Sequence, residues 1–224
     1  MNIEETSALE RRVRRHAALA DAARLRMVDL LTIGDRSPTE LREHLALPSN
    51  LVAHHLNVLE RAGIITRVRS EGDGRRSYVR LDAGALPDLD PQRAISVPRI
   101  VFVCTANSAR SQLAKAIWGT VSSVPAASGG THPADGVAPG AASVASRHGL
   151  DLRGATPTLV DDLVAADDLV VTVCDRAHEE YAATEALHWS VPDPVRIGTD
   201  AAFEAAFTEI EHRVAALAPR VRAA

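Results

Sequence analysis

The stretch Val103–Ser111 reads VCTANSARS, with a thiol at Cys104, a guanidinium at Arg110 and a hydroxyl at Ser111. That run suits an oxyanion. Backbone N–H groups of a tight loop through Cys104, Thr105, Ala106, Asn107, Ser108, Ala109 and Arg110 can converge on one centre, with the dipole of a following helix behind them. A thiol in such a loop ionises more readily than a free one and becomes a nucleophile. Arg110 offers two parallel donors to a tetrahedral anion, and Ser111 can donate its hydroxyl to the sulfur. The oxygen displaced by the attack needs a proton. Asp193, in Trp189-Ser190-Val191-Pro192-Asp193-Pro194, is the candidate acid, with Pro194 stiffening its approach. The only other cysteine is Cys174. Two cysteines in a cytosolic chain of this size point to core packing or chemistry, not to a disulfide framework.

These groups meet only if one sheet edge carries them. From Arg99 the sequence alternates short apolar strands with helices. Strands are expected at 99–103 (RIVFV), 126–130 (AASGG), 169–173 (LVVTV) and 187–191. Helices are expected at 110–121 and near 137–149, 157–166, 176–186 and 200–218. Leu113, Ala114, Ile117, Trp118 and Val121 give the first helix its apolar face. This alternation predicts an α/β fold with a doubly wound parallel sheet covered on both faces. Sites in such sheets lie beyond the carboxyl ends of the strands. Cys104 falls there after the first strand, and Asp193 after the last.

Residues 81–98 (LDAGALPDLDPQRAISVP) carry Pro87, Pro91, Pro98 and Gly84 and little periodicity. They mark a linker at 83–97 between a domain at 1–82 and one at 98–224. The first domain reads as helices at 8–20 and 22–33, a short helix at 38–45, a break at Ala46–Pro48, and a helix at 50–62 ending at Gly63. Ser37, Pro38 and Glu40 form a capping-box start, and Ser49 is the expected cap of the last helix. That helix has an apolar stripe of Leu51, Val52, Leu56 and Leu59. Asn50, Ala53, His54, Asn57 and Arg61 fall opposite, where small and hydrogen-bonding groups can read base edges. Strand-like arms at 64–70 and 75–81 follow, joined by a turn at 71–74. Residues 61–80 hold six arginines against Glu71 and Asp73, a basic stripe suited to phosphates. Helix, turn, helix and basic hairpin make a winged helix-turn-helix. Ser49, Asn50, His54, Asn57, Arg61, Arg67, Arg69, Arg75 and Arg76 are the candidate DNA contacts.

On these residues, SPTELREHLALPSNLVAHHLNVLERAGIITRVRSEGDGRRSYVRL above all, residues 8–82 resemble the arsenic- and metal-responsive (ArsR-like) repressors. The resemblance implies a homodimer on a palindromic operator. Many of those repressors bind arsenite through a Cys-Val-Cys in the third helix. Here that stretch is Glu40-Leu41-Arg42-Glu43-His44, so no such site and no metal site is expected.

VFVCTANSARSQLAKAIW, DDLVVTVCD and HWSVPDPV resemble the low-molecular-weight tyrosine phosphatases and the related arsenate reductases over residues 98–218. The resemblance makes Cys104 the nucleophile, Arg110 the oxyanion binder, Asn107 a loop-shaping residue, Ser111 a thiolate partner and Asp193 the acid. HW-x-x-x-DP and VTVCD lean toward the reductases. Reductases of this type that are coupled to thioredoxin pass oxidation through three cysteines. Cys104 and Cys174 match the first two, and the chain has no third. Two routes stay open, attack by an external low-molecular-weight thiol or a direct Cys104–Cys174 bridge. The reductant is then an external thiol or a redoxin, with no bound cofactor. The phosphatases usually place aromatics round the mouth of the site. With 3% aromatics, the nearest wall here is Trp189.

The expected function is a DNA-binding regulator fused to an arsenate reductase. The alternatives are a phosphatase with a DNA-binding domain and a non-catalytic oxyanion sensor. Net charge is −4, yet residues 1–90 balance 14 arginines against 14 acids. No apolar run approaches the ~18 residues of a membrane span, and the opening MNIEETSALERR has no apolar signal core. A cytoplasmic protein is expected.

Overall fold

The computed structural model describes residues 3–82, 95–181 and 186–224, with side chains from Glu10 onward. Pro87, Pro91 and most of the expected linker lie outside the described residues. The described residues form two compact units. Residues 3–69 with 75–82 make the first, and residues 70–74 with those from 95 onward make the second.

In the first unit α1 (Ile3–Leu19), α2 (Ala22–Leu31), α3 (Pro38–Leu45) and α4 (Ser49–Arg61) precede an antiparallel hairpin of β1 (Ile65–Arg69) and β2 (Ser77–Leu81). The Asp21 carboxylate accepts from the Arg24 amide and starts α2. The capping box forms as read. The Ser37 amide donates to Glu40 at 2.6 Å, and the Glu40 amide to Ser37 Oγ at 3.2 Å. Such a cap contributes about 1 kcal/mol. Ala46 ends α3 with φ +50°. The cap expected at Ser49 is instead Pro48. Its carbonyl accepts from both Leu51 and Val52, so Ser49 is already helical. Leu51 also departs from expectation. It is exposed, and the buried arc is Val52, His55, Leu56 and Leu59, the i, i+3, i+4, i+7 set. Val52, Leu56 and Leu59 join Met27, Val28, Leu31, Leu41, Ile64, Ile65 and Val79 in one core.

The second unit begins with β3 (Ile95–Val97), β4 (Ile100–Cys104), α5 (Arg110–Val121), β5 (Ala126–Gly130) and α6 (Pro139–Arg147). It continues with β6 (Leu169–Thr172), α7 (Asp175–Glu180), β7 (Leu187–His188), α8 (Pro194–Ile197), α9 (Asp200–Leu217) and β8 (Val221–Ala223). Strands run parallel in the order β5-β4-β6-β7, the expected doubly wound sheet. All of β4 is buried, as a near-continuous apolar run in a covered parallel sheet must be. Phe102 on β4 lies between Trp118 and Trp189, with ring centroids 5.9 and 5.7 Å away. Trp189 is 1% exposed. It is a core residue and not the wall of a site mouth.

Several expected elements are shorter. The helix expected at 157–166 is a single turn, Val160–Asp162. Just ahead of it Leu159 bridges Gly130 and the Gly130 amide donates to Thr158, which holds the segment extended. The strand expected at 187–191 ends at His188, and the helix expected at 176–186 ends at Glu180. Residues 182–185 of that helix lie outside the described residues. β3 and β8, which pair with each other in parallel, and α8 were not foreseen. Residues 95–97, expected in the linker, form a strand.

Candidate active site

Cys104 closes β4 and Arg110 opens α5, so five residues turn the chain from strand to helix. The loop carbonyls are tied outward to the next crossover. Amides of Thr131, His132, Ala134 and Ala138 donate to the carbonyls of Cys104, Thr105, Ala106 and Ser108 at 2.8–3.2 Å. A peptide whose carbonyl is held outward presents its N–H inward, the geometry of an anion nest. The crossover must pass close. A Cβ on Gly130 would lie 2.7 Å from the Thr105 carbonyl and 3.0 Å from Asn107, so only glycine fits there.

Asn107 shapes the loop in two ways. Its backbone has φ +48°, a left-handed conformation that asparagine tolerates better than most residues. Its buried side chain also fixes the protons around the sulfur. The Thr158 amide can only donate, and it meets Asn107 Oδ1 at 3.0 Å. Nδ2 therefore faces Ser111 Oγ, at 2.7 Å. The Ser111 oxygen is thus an acceptor, and its own proton is left for Cys104 Sγ at 3.0 Å. The Asn107 amide donates to the same sulfur at 3.2 Å. Two donors aimed at one sulfur stabilise negative charge there. Gln112 Nε2 braces the loop by donating to the Asn107 carbonyl at 3.1 Å.

The Arg110 guanidinium is set by the loop after β7. Nη1 donates to the Val191 carbonyl and Nη2 to Asp193 Oδ2, both at 2.9 Å. Burial alone would weaken its charge. The neighbouring sulfurs of Cys174 and Cys104 and the Asp193 carboxylate outweigh that and hold it above the ordinary arginine range. Asp193 caps α8, taking the Val195 amide on Oδ1 at 3.0 Å.

Cys174 lies at the head of α7. Its sulfur accepts from the Ala177 amide at 3.4 Å and sits 3.4 Å from Thr105 Oγ1. Burial, more than any neighbour, pushes its thiol up. Cys104, Thr105, Arg110, Cys174, Asp175 and Asp193 line one cavity of about 250 Å³. None of the described residues lining it is aromatic. Both cysteines are free. Asn107 and Ser111 support the loop from the buried interior, and Ala106, Ser108 and Ala109 complete it at the cavity wall.

The crossover strap 131–138, the brace Gln112 and the amide of Thr158 are not legible in the sequence. The paired glycines 129–130 were the available signal. Nor is a buried chain of polar groups beside Cys174. His188 Nε2 meets Asp175 Oδ1 at 3.1 Å, and Thr172 Oγ1 lies 3.0 Å from His188 Nδ1 and 3.1 Å from His178 Nδ1.

In the first unit Ser49, Asn50, His54, Asn57 and Arg61 are exposed along α4, and Arg67, Arg69, Arg75 and Arg76 are exposed in the hairpin segment. Arg67 Nη2 donates to Asn57 Oδ1 at 2.7 Å, and Arg61 Nε to the Asn57 carbonyl at 3.0 Å, which links hairpin to helix. Among the described residues no cluster of three His, Cys, Asp or Glu could hold a metal ion, and no helix is long and apolar enough to cross a membrane.

Residues 99–224 match the family model of the low molecular weight phosphotyrosine protein phosphatases, and residues 19–68 that of a helix-turn-helix domain. An arsenate reductase of Halalkalibacterium halodurans is 36% identical over 124 residues, covering 51% of this chain and 88% of that protein. Arsenate reductase 1 of Staphylococcus epidermidis is 34% identical over 132 residues, covering 54% and 96%. The crystal structure of a YwlE mutant from Bacillus subtilis aligns over 54% of this chain and 95% of its own, at 22% identity and a TM-score of 0.49.

Proposed function

Because the chain belongs to the low molecular weight phosphotyrosine protein phosphatase family through residues 99–224, we propose that residues 98–224 reduce arsenate and that residues 1–82 tie that chemistry to DNA. The observation that carries the reduction is that two sulfurs, Cys104 and Cys174, line one cavity with Arg110. Arsenate takes the inward amides of the loop and the donors of Arg110. The Cys104 sulfur attacks arsenic, and Asp193 protonates the departing oxygen, which leaves as water. An oxyanion on Arg110 competes with the Arg110–Asp193 ion pair and frees the carboxyl for this work. The Cys174 sulfur then attacks Cys104 Sγ. The S–S bond forms, the S–As bond breaks, and its electron pair stays on arsenic, which departs as arsenite. An external thiol or a redoxin reduces the resulting disulfide. No described residue lining the cavity is aromatic, so none there would wall a phenyl ester, which favours arsenate over phosphotyrosine.

Arsenate-dependent consumption of thiol tests this reading, with dithiothreitol or a thioredoxin system as donor. Cys104→Ser should remove it entirely. No consumption with any donor, alongside Cys104-dependent hydrolysis of p-nitrophenyl phosphate, would replace the reductase with a phosphatase.

For the first domain, Asn50, His54 and Asn57, exposed on α4, would read base edges. Ser49, Arg61 and the hairpin arginines Arg67, Arg69, Arg75 and Arg76 would hold phosphates of a palindromic operator, bound by two copies of the chain. The double variant Arg75→Ala, Arg76→Ala should weaken binding at every sequence and reduce the salt slope by about 2. Equal binding by the variant would rule out the hairpin as a wing.

A further inference from the structure

Residues 70–74, which join β1 to β2 in the chain, belong to the second unit. Ser70 is buried and organises this turn. Its hydroxyl accepts from the amides of Gly72 at 3.0 Å and Asp73 at 3.1 Å and donates to Glu179 on α7. Gly72 packs so closely that a Cβ there would meet the Glu179 carboxylate and lie 3.0 Å from Arg176 Cα. The turn thereby carries Glu71 to the catalytic cavity, which it lines with Cys104, Arg110 and Asp193. The Glu71 amide donates to Asp175 Oδ2 at 2.7 Å. The Glu71 carboxylate accepts from the Asp193 amide at 3.1 Å and from Arg196 Nη2 at 3.2 Å. No step of the mechanism above uses this carboxylate.

We propose that Glu71 is a resident competitor of the oxyanion, so that the docked turn and a bound anion exclude one another.

The cavity is built to gather negative charge, and Glu71 supplies some before any substrate arrives. Burial works against the Arg110 charge. Glu71 is one of the neighbours that hold it up, together with the two sulfurs and Asp193. An entering arsenate or phosphate brings further negative charge into the same cavity of about 250 Å³. Like charges confined there repel more strongly than they would in water, because the surroundings screen them less. The two anions are held unequally. Glu71 relies on a backbone amide and on Arg196, whose side chain is 71% exposed, and an exposed ion pair holds weakly. The oxyanion would have the loop amides and the buried Arg110, so the carboxylate is the partner that yields. Linkage then makes the effect mutual. The docked turn weakens the anion by the factor through which the anion loosens the turn.

The inference rests on the cavity as an oxyanion site and not on arsenate reduction, so inorganic phosphate serves as the probe. It is titrated calorimetrically into the full-length chain at fixed ionic strength. Glu71→Gln should bind it about tenfold more tightly. Ser70→Ala changes no charge, and Ser70 does not line the cavity. This variant frees the turn and should also bind phosphate more tightly, by a smaller factor. Trypsin cleavage between Arg69 and Ser70, read by mass analysis, supplies the reciprocal measurement. Compared with chloride at equal ionic strength, phosphate should speed it several-fold in the wild type and leave it unchanged in Glu71→Gln.

Equal or weaker phosphate binding by Glu71→Gln would make the carboxylate a support for the Asp193 loop and overturn the competition. Tighter binding by Glu71→Gln with no change in Ser70→Ala would reduce the effect to charge and overturn the exclusion of the turn. Protection of the Arg69–Ser70 bond by phosphate would mean that the turn closes over the anion, the opposite of the proposal. Absence of phosphate binding in all three proteins would remove the oxyanion site and the competitor with it. The expected shifts without arsenate-dependent thiol loss would remove the reductase reading and leave the competitor standing.

Discussion

Cys104 and Cys174 occupy equivalent places. Each follows a central strand of one parallel sheet, each precedes a helix, and each sulfur accepts the amide three residues on, at 3.2 and 3.4 Å. They differ in what lies between sulfur and helix. After Cys104 a five-residue loop wraps round before a twelve-residue helix begins with a buried arginine. After Cys174 the helix starts at once and lasts six residues. The loop gives Cys104 inward amides, a second donor in Ser111 and the guanidinium of Arg110. Cys174 has burial, one amide and the hydroxyl of Thr105. Position in the sheet supplies the stage, and the loop decides which sulfur is surrounded by donors.

The most severe break of this comparison is exchange of each sulfur for oxygen. Cys104→Ser should abolish both arsenate-dependent thiol loss and aryl phosphate hydrolysis. Under the proposed mechanism, Cys174→Ser should stop thioredoxin-coupled reduction and spare any phosphatase activity, for which that mechanism calls on Cys104, Arg110 and Asp193 alone. Equal loss of both activities in the two variants would mean the cysteines are not divided in this way.

Arg110→Lys should come next, lowering the rate of Cys104 adduct formation about 10² to 10³-fold. Lysine keeps a charge but loses the fork that spans the Val191 carbonyl and the anion. Stopped-flow loss of Cys104 thiol under arsenate would measure it. Gly130→Ala should destabilise by about 1–3 kcal/mol, because the added methyl meets loop backbone that cannot yield. Urea unfolding of this variant beside Gly149→Ala, which meets nothing within 4 Å but has φ +74°, would separate crowding from backbone strain.

The smallest effect concerns pH. Folding holds the Cys174 thiol above its ordinary range. Its contribution to stability is therefore complete at neutral pH and fades as pH climbs through the folded value. Cys174→Ser should show a shallower alkaline decline in its urea midpoint. A parallel decline in the two proteins would mean that burial of this thiol has no thermodynamic weight.

The sequence discloses these parts unevenly. Loop, strand and following helix were legible together because Cys104, Arg110 and the apolar runs beside them are contiguous. The sheet and its direction followed from strand–helix alternation. The strap 131–138 was not legible. It is held by backbone amides, which any residue but proline supplies, so its side chains announce nothing. The single turn at 160–162 replaced a helix because the bridge to Gly130 outcompetes local propensity. Trp189 looked like a wall by proximity to Asp193, yet it points at Phe102, a relation that only the packed sheet creates. His178 and His188 lie ten residues apart in sequence, and their stacking depends on α7 folding back beside β7. In α4 the polar face was read correctly, while His55 took the buried position assigned to Leu51, because periodicity places a residue and hydropathy alone does not.

The parallel pairing of β3 with β8 has a topological consequence. Residues 95 and 223 lie roughly 8 Å apart, given the register and the spacing and rise of paired strands, so the stretch from 95 to 223 has its two ends side by side. A short linker from 224 to 95 would close it into a ring. The chain could then be reopened in the exposed turn at Gly149, giving a circular permutant whose catalytic loop, strap and sheet order are unchanged.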